Sequence, residues 1–141
     1  LLSGGGGLVS TARDYLRFCE MLRGRGRLGK VQILRPETVE AMTNNQLTGS
    51  CYPVRIGIPF RGVGFGLGVS VVVERRGPTN PVGEYGWAGA ASTDFWISPV
   101  DELSVVVLVQ RMPFTNRASD LVRPLIYGAL PRMQEPAIAP K

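Results

Sequence analysis

Between Gly64 and Arg111 the chain breaks into short apolar runs separated by turn-forming clusters, and no segment there keeps a helical period. Phe65, Leu67, Val69, Val71 and Val73 alternate with Gly64, Gly66, Gly68, Ser70 and Val72, the pattern of a strand with one large and one small face. Gly77-Pro78-Thr79-Asn80-Pro81 makes a turn. Glu84 to Ala91, Thr93 to Ser98 and Leu103 to Arg111 read as further strands, the last two joined by the tight Pro99-Val100-Asp101-Glu102 turn. Strands joined by such short turns pair antiparallel.

Helical periodicity is confined to the ends. Ser10-Thr11 supplies an N-cap before Ala12, Tyr15, Leu16, Cys19 and Leu22, which predicts a helix over 11–23. Gly24, Gly26 and Gly29 stop it, and a short hairpin is expected between Leu28 and Leu34. Pro36 opens a second helix ending near Thr43. Asn44 to Gly62 shows no period and reads as a long loop. A final helix is expected from about Ser119 to Leu130, with Pro124 near its first turn. The order defines an α+β chain, an antiparallel sheet flanked by helices, over 1–130, followed by a tail at 131–141 carrying three prolines.

Composition narrows the chemistry. A chain of 141 residues without histidine holds no Ser-His-Asp or Cys-His nucleophile pair and no His-containing zinc site. Cys19 and Cys51 are too few and too far apart for a disulfide framework or a CxxC site, and Cys19 falls on the apolar face of the first helix, where a buried free thiol is expected. No metal or cofactor is called for. The longest apolar runs, Val69 to Val73 and Leu103 to Val109, fall far short of the roughly 20 residues of a membrane-spanning helix. The net charge of +5 is concentrated in Arg23-Gly24-Arg25-Gly26-Arg27 and Lys30. No aromatic residue interleaves that cluster, so it reads as a solvated helix end and hairpin rather than a nucleic-acid contact. Gly24, Gly26 and Gly29 match Gly-x-Gly-x-x-Gly, but they end a helix instead of linking a strand to one, which argues against dinucleotide binding.

The richest stretch is Gly86-Trp87-Ala88-Gly89-Ala90-Ala91-Ser92-Thr93. Small residues after a tryptophan let a ligand or another backbone approach and leave N–H groups available as donors. On composition alone a tightly packed central strand beneath a helix is the favoured reading. The pattern resembles the third active-site motif of the serine β-lactamase-like hydrolases, the family of class C β-lactamases, penicillin-binding proteins and related esterases, whose esterase-like branch carries Trp-Gly-Gly. Gly4-Gly5-Gly6-Gly7-Leu8-Val9-Ser10-Thr11-Ala12-Arg13-Asp14-Tyr15 is similar to that family's Gly-Gly-Leu-x-Ser-Thr-Ala-x-Asp-Tyr segment. Leu34-Arg35-Pro36-Glu37-Thr38-Val39 and Gly64-Phe65-Gly66-Leu67-Gly68 match two more of its motifs, in the family's order.

The resemblance implies a partial β-lactamase/transpeptidase-like fold, of which this chain is the C-terminal part. It implies that Trp87, Ala88 and Gly89 form the substrate-binding strand, where penicillin-binding relatives have Lys-Thr-Gly, and that the Ala90 backbone amide is the second oxyanion-hole donor. Ala88 and Ser92 depart from the glycines usual in the esterase-like branch. Trp87 in place of lysine removes a cation that would bind a β-lactam carboxylate, which turns the expectation toward a small-molecule ester or amide. The nucleophilic Ser, its Lys and the Tyr base would come from an N-terminal segment of the same fold, on this chain or a second one, since no Ser-x-x-Lys precedes Lys30 or Lys141. The competing expectation is a non-catalytic β-lactamase-like subunit of a larger assembly.

Overall fold

The computed structural model describes residues 8–56 and 58–130, so the expectations placed on Gly4 to Gly7 and on the tail at 131–141 lie outside the described residues. Helix α1 spans Ala12–Arg23. The Thr11 hydroxyl accepts from the Asp14 N–H at 3.1 Å, and the Gly24 N–H closes the other end on the Glu20 carbonyl. Cys19, Met21 and Leu22 are its buried residues, while Leu16 is exposed on the other side. The arginine-rich segment then turns as a hairpin of β1 (Arg27–Leu28) and β2 (Val31–Gln32). Gly26 permits that turn: it sits at φ +86, and its carbonyl accepts from Ile33 and Leu34. Helix α2, Pro36–Thr43, carries its proline at the first turn as expected.

The 44–62 segment is less irregular than its sequence suggests. It holds one 3₁₀ turn, Gly49–Cys51, and a small antiparallel pair, β3 (Arg55–Ile56) and β4 (Ile58–Pro59). The expected single strand over 64–73 is instead a hairpin of β5 (Val63–Phe65) and β6 (Ser70–Val72), reversed at Gly66 to Gly68 with Gly68 at φ +96. Glycines that would give a strand its small face also supply a turn, and alternation alone does not separate the two.

Three more strands complete the sheet: β7 (Tyr85–Ala88), β8 (Asp94–Ser98) and β9 (Leu103–Val107), in the order β5-β6-β7-β8-β9 with every neighbour antiparallel. All three are shorter than expected: β7 stops at Ala88 rather than Ala91, ahead of a turn with Ser92 at φ 64, β8 starts at Asp94 rather than Thr93, and β9 stops at Val107 rather than Arg111.

Helix α3, Arg117–Ala129, begins two residues before the expected start, which moves Pro124 from the first turn to mid-helix. Pro124 is solvent-exposed, so the helix carbonyl it leaves without a partner lies toward water.

The sheet separates two helical layers. On one face Val71, Tyr85, Phe95 and Ile97 meet Cys19, Met21 and Leu22 of α1 and Val39 of α2, forming the main core. On the other, Trp96 and Ser98 are covered from the α3 side, where the Arg123 guanidinium lies 4.1 Å from the centre of the Trp96 ring. Burial of these apolar side chains, each contributing roughly 1.5–3 kcal/mol, fixes the strand registers because a one-residue slip would turn every one outward.

Candidate functional site

Strand β7 runs past its neighbour β6: Ser70 pairs with Gly86, and nothing in β6 lies opposite Trp87 or Ala88. On its other side the strand stays paired, with Trp87 opposite Phe95 and Ala88 opposite Asp94. The Gly89 N–H donates to the Thr93 carbonyl at 2.8 Å and the Ser92 N–H to the Gly89 carbonyl at 2.9 Å, which defines a tight turn over 89–92. Ala90 is the second residue of that turn. It is exposed, and among the described residues its N–H donates to no protein acceptor.

The turn is held from behind. The buried Ser92 hydroxyl donates to the Arg111 carbonyl at 2.9 Å and accepts from the Thr115 N–H at 3.0 Å, while the Arg111 N–H donates to the Ala91 carbonyl at 3.0 Å. Serine at this position therefore bonds the turn to the segment leading into α3.

Trp87 is 38% exposed and packs edge-on against Phe65, ring centres 4.8 Å apart. Trp87, Ala88 and Gly89 border two clefts. One, of about 330 Å³, opens on the α1 side between Thr11, Tyr15 and Phe95. The other, of about 540 Å³, opens on the α3 side and also reaches Ala90, Asp94, Asn116 and Arg123. The structure thus brings all four sequence-expected residues to one place.

It also brings in residues that their sequence context does not flag. Asp94 borders both clefts. Burial pushes its carboxyl above the usual carboxylate range, partly offset by the Ser119 hydroxyl and the Arg123 charge. Glu84, 4% exposed at the head of β7, is met by the Arg123 guanidinium at 2.7 Å, by the Tyr127 hydroxyl and by the Asn80 amide. Burial and the hydrogen bond to Glu84 push the Tyr127 phenol upward. A glutamate just before an apolar strand was the one visible signal, but its partners lie 39 and 43 residues away.

On the α1 side, burial pushes the Cys19 thiol up to about 11, as expected of a free thiol enclosed in the core. In the arginine-rich hairpin, Arg23 is bonded to Glu20 at 2.6 Å and the Arg27 side chain to the Gly29 carbonyl at 2.9 Å. Gly24, Gly26 and Gly29 lie at the end of α1 and in that hairpin, not at a strand-to-helix turn.

A five-stranded antiparallel sheet between helical layers, with a small-residue strand end opening onto two clefts, defines an α+β protein. Residues 2–127 match the family model described as Beta-lactamase, and the chain belongs to that family. It is 40% identical over 117 residues to two Mycobacterium tuberculosis proteins, uncharacterized protein MT1414 of strain CDC 1551 / Oshkosh and protein Rv1367c of strain ATCC 25618 / H37Rv. Each match covers 77% of this chain and 29% of the relative, so the chain spans under a third of their length. Among solved structures it is similar to the crystal structure of a "putative beta-lactamase" from Bacteroides dorei DSM 17855, at 27% identity and a TM-score of 0.51, covering 79% of this chain and 37% of that one.

Proposed function

We propose that this chain forms one wall of an acyl-transfer site in a serine hydrolase of esterase type. The observation that carries the reading is the N–H of the exposed Ala90, unpaired among the described residues, at a turn braced by Ser92 on the rim of the α3-side cleft. A backbone donor fixed in place before the reaction stabilises a developing oxyanion without reorganising. Trp87, Ala88 and Gly89 form the strand along which the substrate lies, their β6 side open to an incoming backbone or acyl group. The nucleophilic Ser, its Lys and the Tyr base come from the remainder of the fold, on a longer chain or a partner chain. Ser attacks the carbonyl carbon, the Lys/Tyr pair takes its proton and passes it to the leaving group, and water then hydrolyses the acyl-enzyme.

The test is mass spectrometry of the full-length protein after exposure to a fluorophosphonate and, separately, to a chromogenic ester. The expected result is a stoichiometric adduct on one serine outside residues 8–130 together with ester turnover. Absence of both would favour the non-catalytic subunit instead.

A further inference from the structure

The cleft on the α3 side holds charges that acyl transfer does not use. Its innermost pair is closed. Arg123 is bonded to both oxygens of Glu84, at 2.7 and 2.8 Å, and to the Thr79 carbonyl at 2.9 Å, and its planar face rests on Trp96. That guanidinium has little left to offer an anionic ligand.

Asp94 is placed differently. It sits opposite Ala88 in the β7–β8 register, borders the cleft, and among the described residues makes no ion pair; the Ser119 hydroxyl, the Phe95 N–H and the more distant charges of Arg123 and Asp120 act on it. The cleft walls carry three carboxylates, Glu84, Asp94 and Asp120, against two guanidiniums, Arg76 and Arg123. The excess is negative although the whole chain is basic, with a net charge of +5. Two large aromatic side chains also line it without being buried, Trp87 at 38% and Phe114 at 50% exposure. A carboxylate without an ion-pair partner, in a cleft that also carries exposed aromatic side chains, suits a weakly hydrated organic cation, which gains both the charge attraction and the ring quadrupole. A volume of about 540 Å³ is within the range of small-molecule sites.

We propose that this cleft is a subsite for a substituted ammonium group, with Asp94 as its counter-charge and Trp87 and Phe114 as its aromatic walls. Ala88, opposite Asp94, precedes Ala90 by two residues, where β7 passes into the 89–92 turn. A small ester carrying an alkylammonium group could then bridge the two positions, so the substrate class would be cationic esters. That last step rests on the acyl-transfer reading; the cation subsite does not.

The experiment titrates the full-length protein with choline and with its uncharged isostere 3,3-dimethylbutan-1-ol, following tryptophan fluorescence. Choline is expected to bind about tenfold more tightly than the isostere, the scale of one partly desolvated cation–aromatic contact. Asp94→Asn is expected to bring the two to parity, with its fold checked by circular dichroism. Equal affinity of the wild-type protein for both compounds overturns the proposal whatever the variant does. So does a choline preference that survives Asp94→Asn. Choline selectivity without ester turnover would leave the subsite standing and remove the hydrolase reading, and turnover without selectivity would do the reverse.

Discussion

At the scale of single residues, Gly86 and Asp94 show how the site is built into the sheet. The small residues of the Gly86 to Thr93 stretch promise a close approach of something, and at Gly86 that something is the neighbouring strand. A methyl group there would drive into the Phe95 carbonyl oxygen and crowd the Trp96 backbone. Gly86→Ala is therefore expected to cost about 3 kcal/mol in denaturant unfolding, while Gly128→Ala, with open space around it in α3, should gain roughly 0.4–1 kcal/mol. Asp94 carries a cost of the opposite origin. Its folded carboxyl titrates above the usual 3.8 because it is buried, so the folded state holds that proton more tightly than the unfolded chain. Stability should then fall as pH rises from 3.8 through the raised value, and the full penalty persists above it. Asp94→Asn is expected to raise the midpoint of thermal unfolding at pH 7 and to leave it little changed below pH 3.8, which a pair of melting curves checks. Of these features Trp87, Ala88, Gly89 and Ala90 were legible in the sequence, because they form a contiguous motif. The burial of Asp94 was not, since a lone aspartate before Phe95 reads equally as a surface residue.

At the scale of elements, α3 is held to the sheet by a buried ionic contact. Arg123 and Glu84, at 16% and 4% side-chain exposure, are the members of that contact, with Tyr127 one turn along the helix adding a third bond. Removing one partner leaves the other charge buried and uncompensated, so Glu84→Gln is expected to cost about 3 kcal/mol. Replacing both, Glu84→Leu with Arg123→Met, should cost much less, because neither charge then has to be desolvated. A double-mutant cycle in urea measures the difference and checks that the two residues act as one unit. The helices α1 and α2 were readable because their caps and apolar faces are local. The β5–β6 hairpin was not, since its glycines also accommodate pairing beyond themselves: the Asn45 side chain packs over Gly64, and the Met42 carbonyl over Gly66. The mid-helix place of Pro124 follows from a helix start at Arg117, where the Asp120 N–H donates to the Asn116 carbonyl at 2.8 Å.

At the scale of the whole molecule, the two edges of the five-stranded sheet are treated unequally. The β5 edge is guarded by the chain itself: the Phe65 carbonyl accepts from the Gln46 N–H at 2.8 Å, the Phe65 N–H donates to the Asn45 side chain at 3.1 Å, and the Val63 carbonyl accepts from the Val54 N–H at 3.1 Å. The β9 edge, Leu103-Ser104-Val105-Val106-Val107, has no such guard among the described residues, and it carries neither a charge nor a proline. A flat apolar edge of this kind templates further strand pairing unless something covers it. The chain spans 29% of its curated relatives and 37% of the solved structure it resembles, so much of the fold in those proteins lies outside the matched segment. An edge of this kind is expected to pair with a further strand, from this chain or from another copy of it. The 141-residue chain alone is then expected to self-associate with rising concentration in sedimentation velocity. Val105→Lys, a charge placed on the half-buried edge, should suppress that association. A 141-residue chain that stays monomeric across the whole concentration range would show that the β9 edge needs no partner.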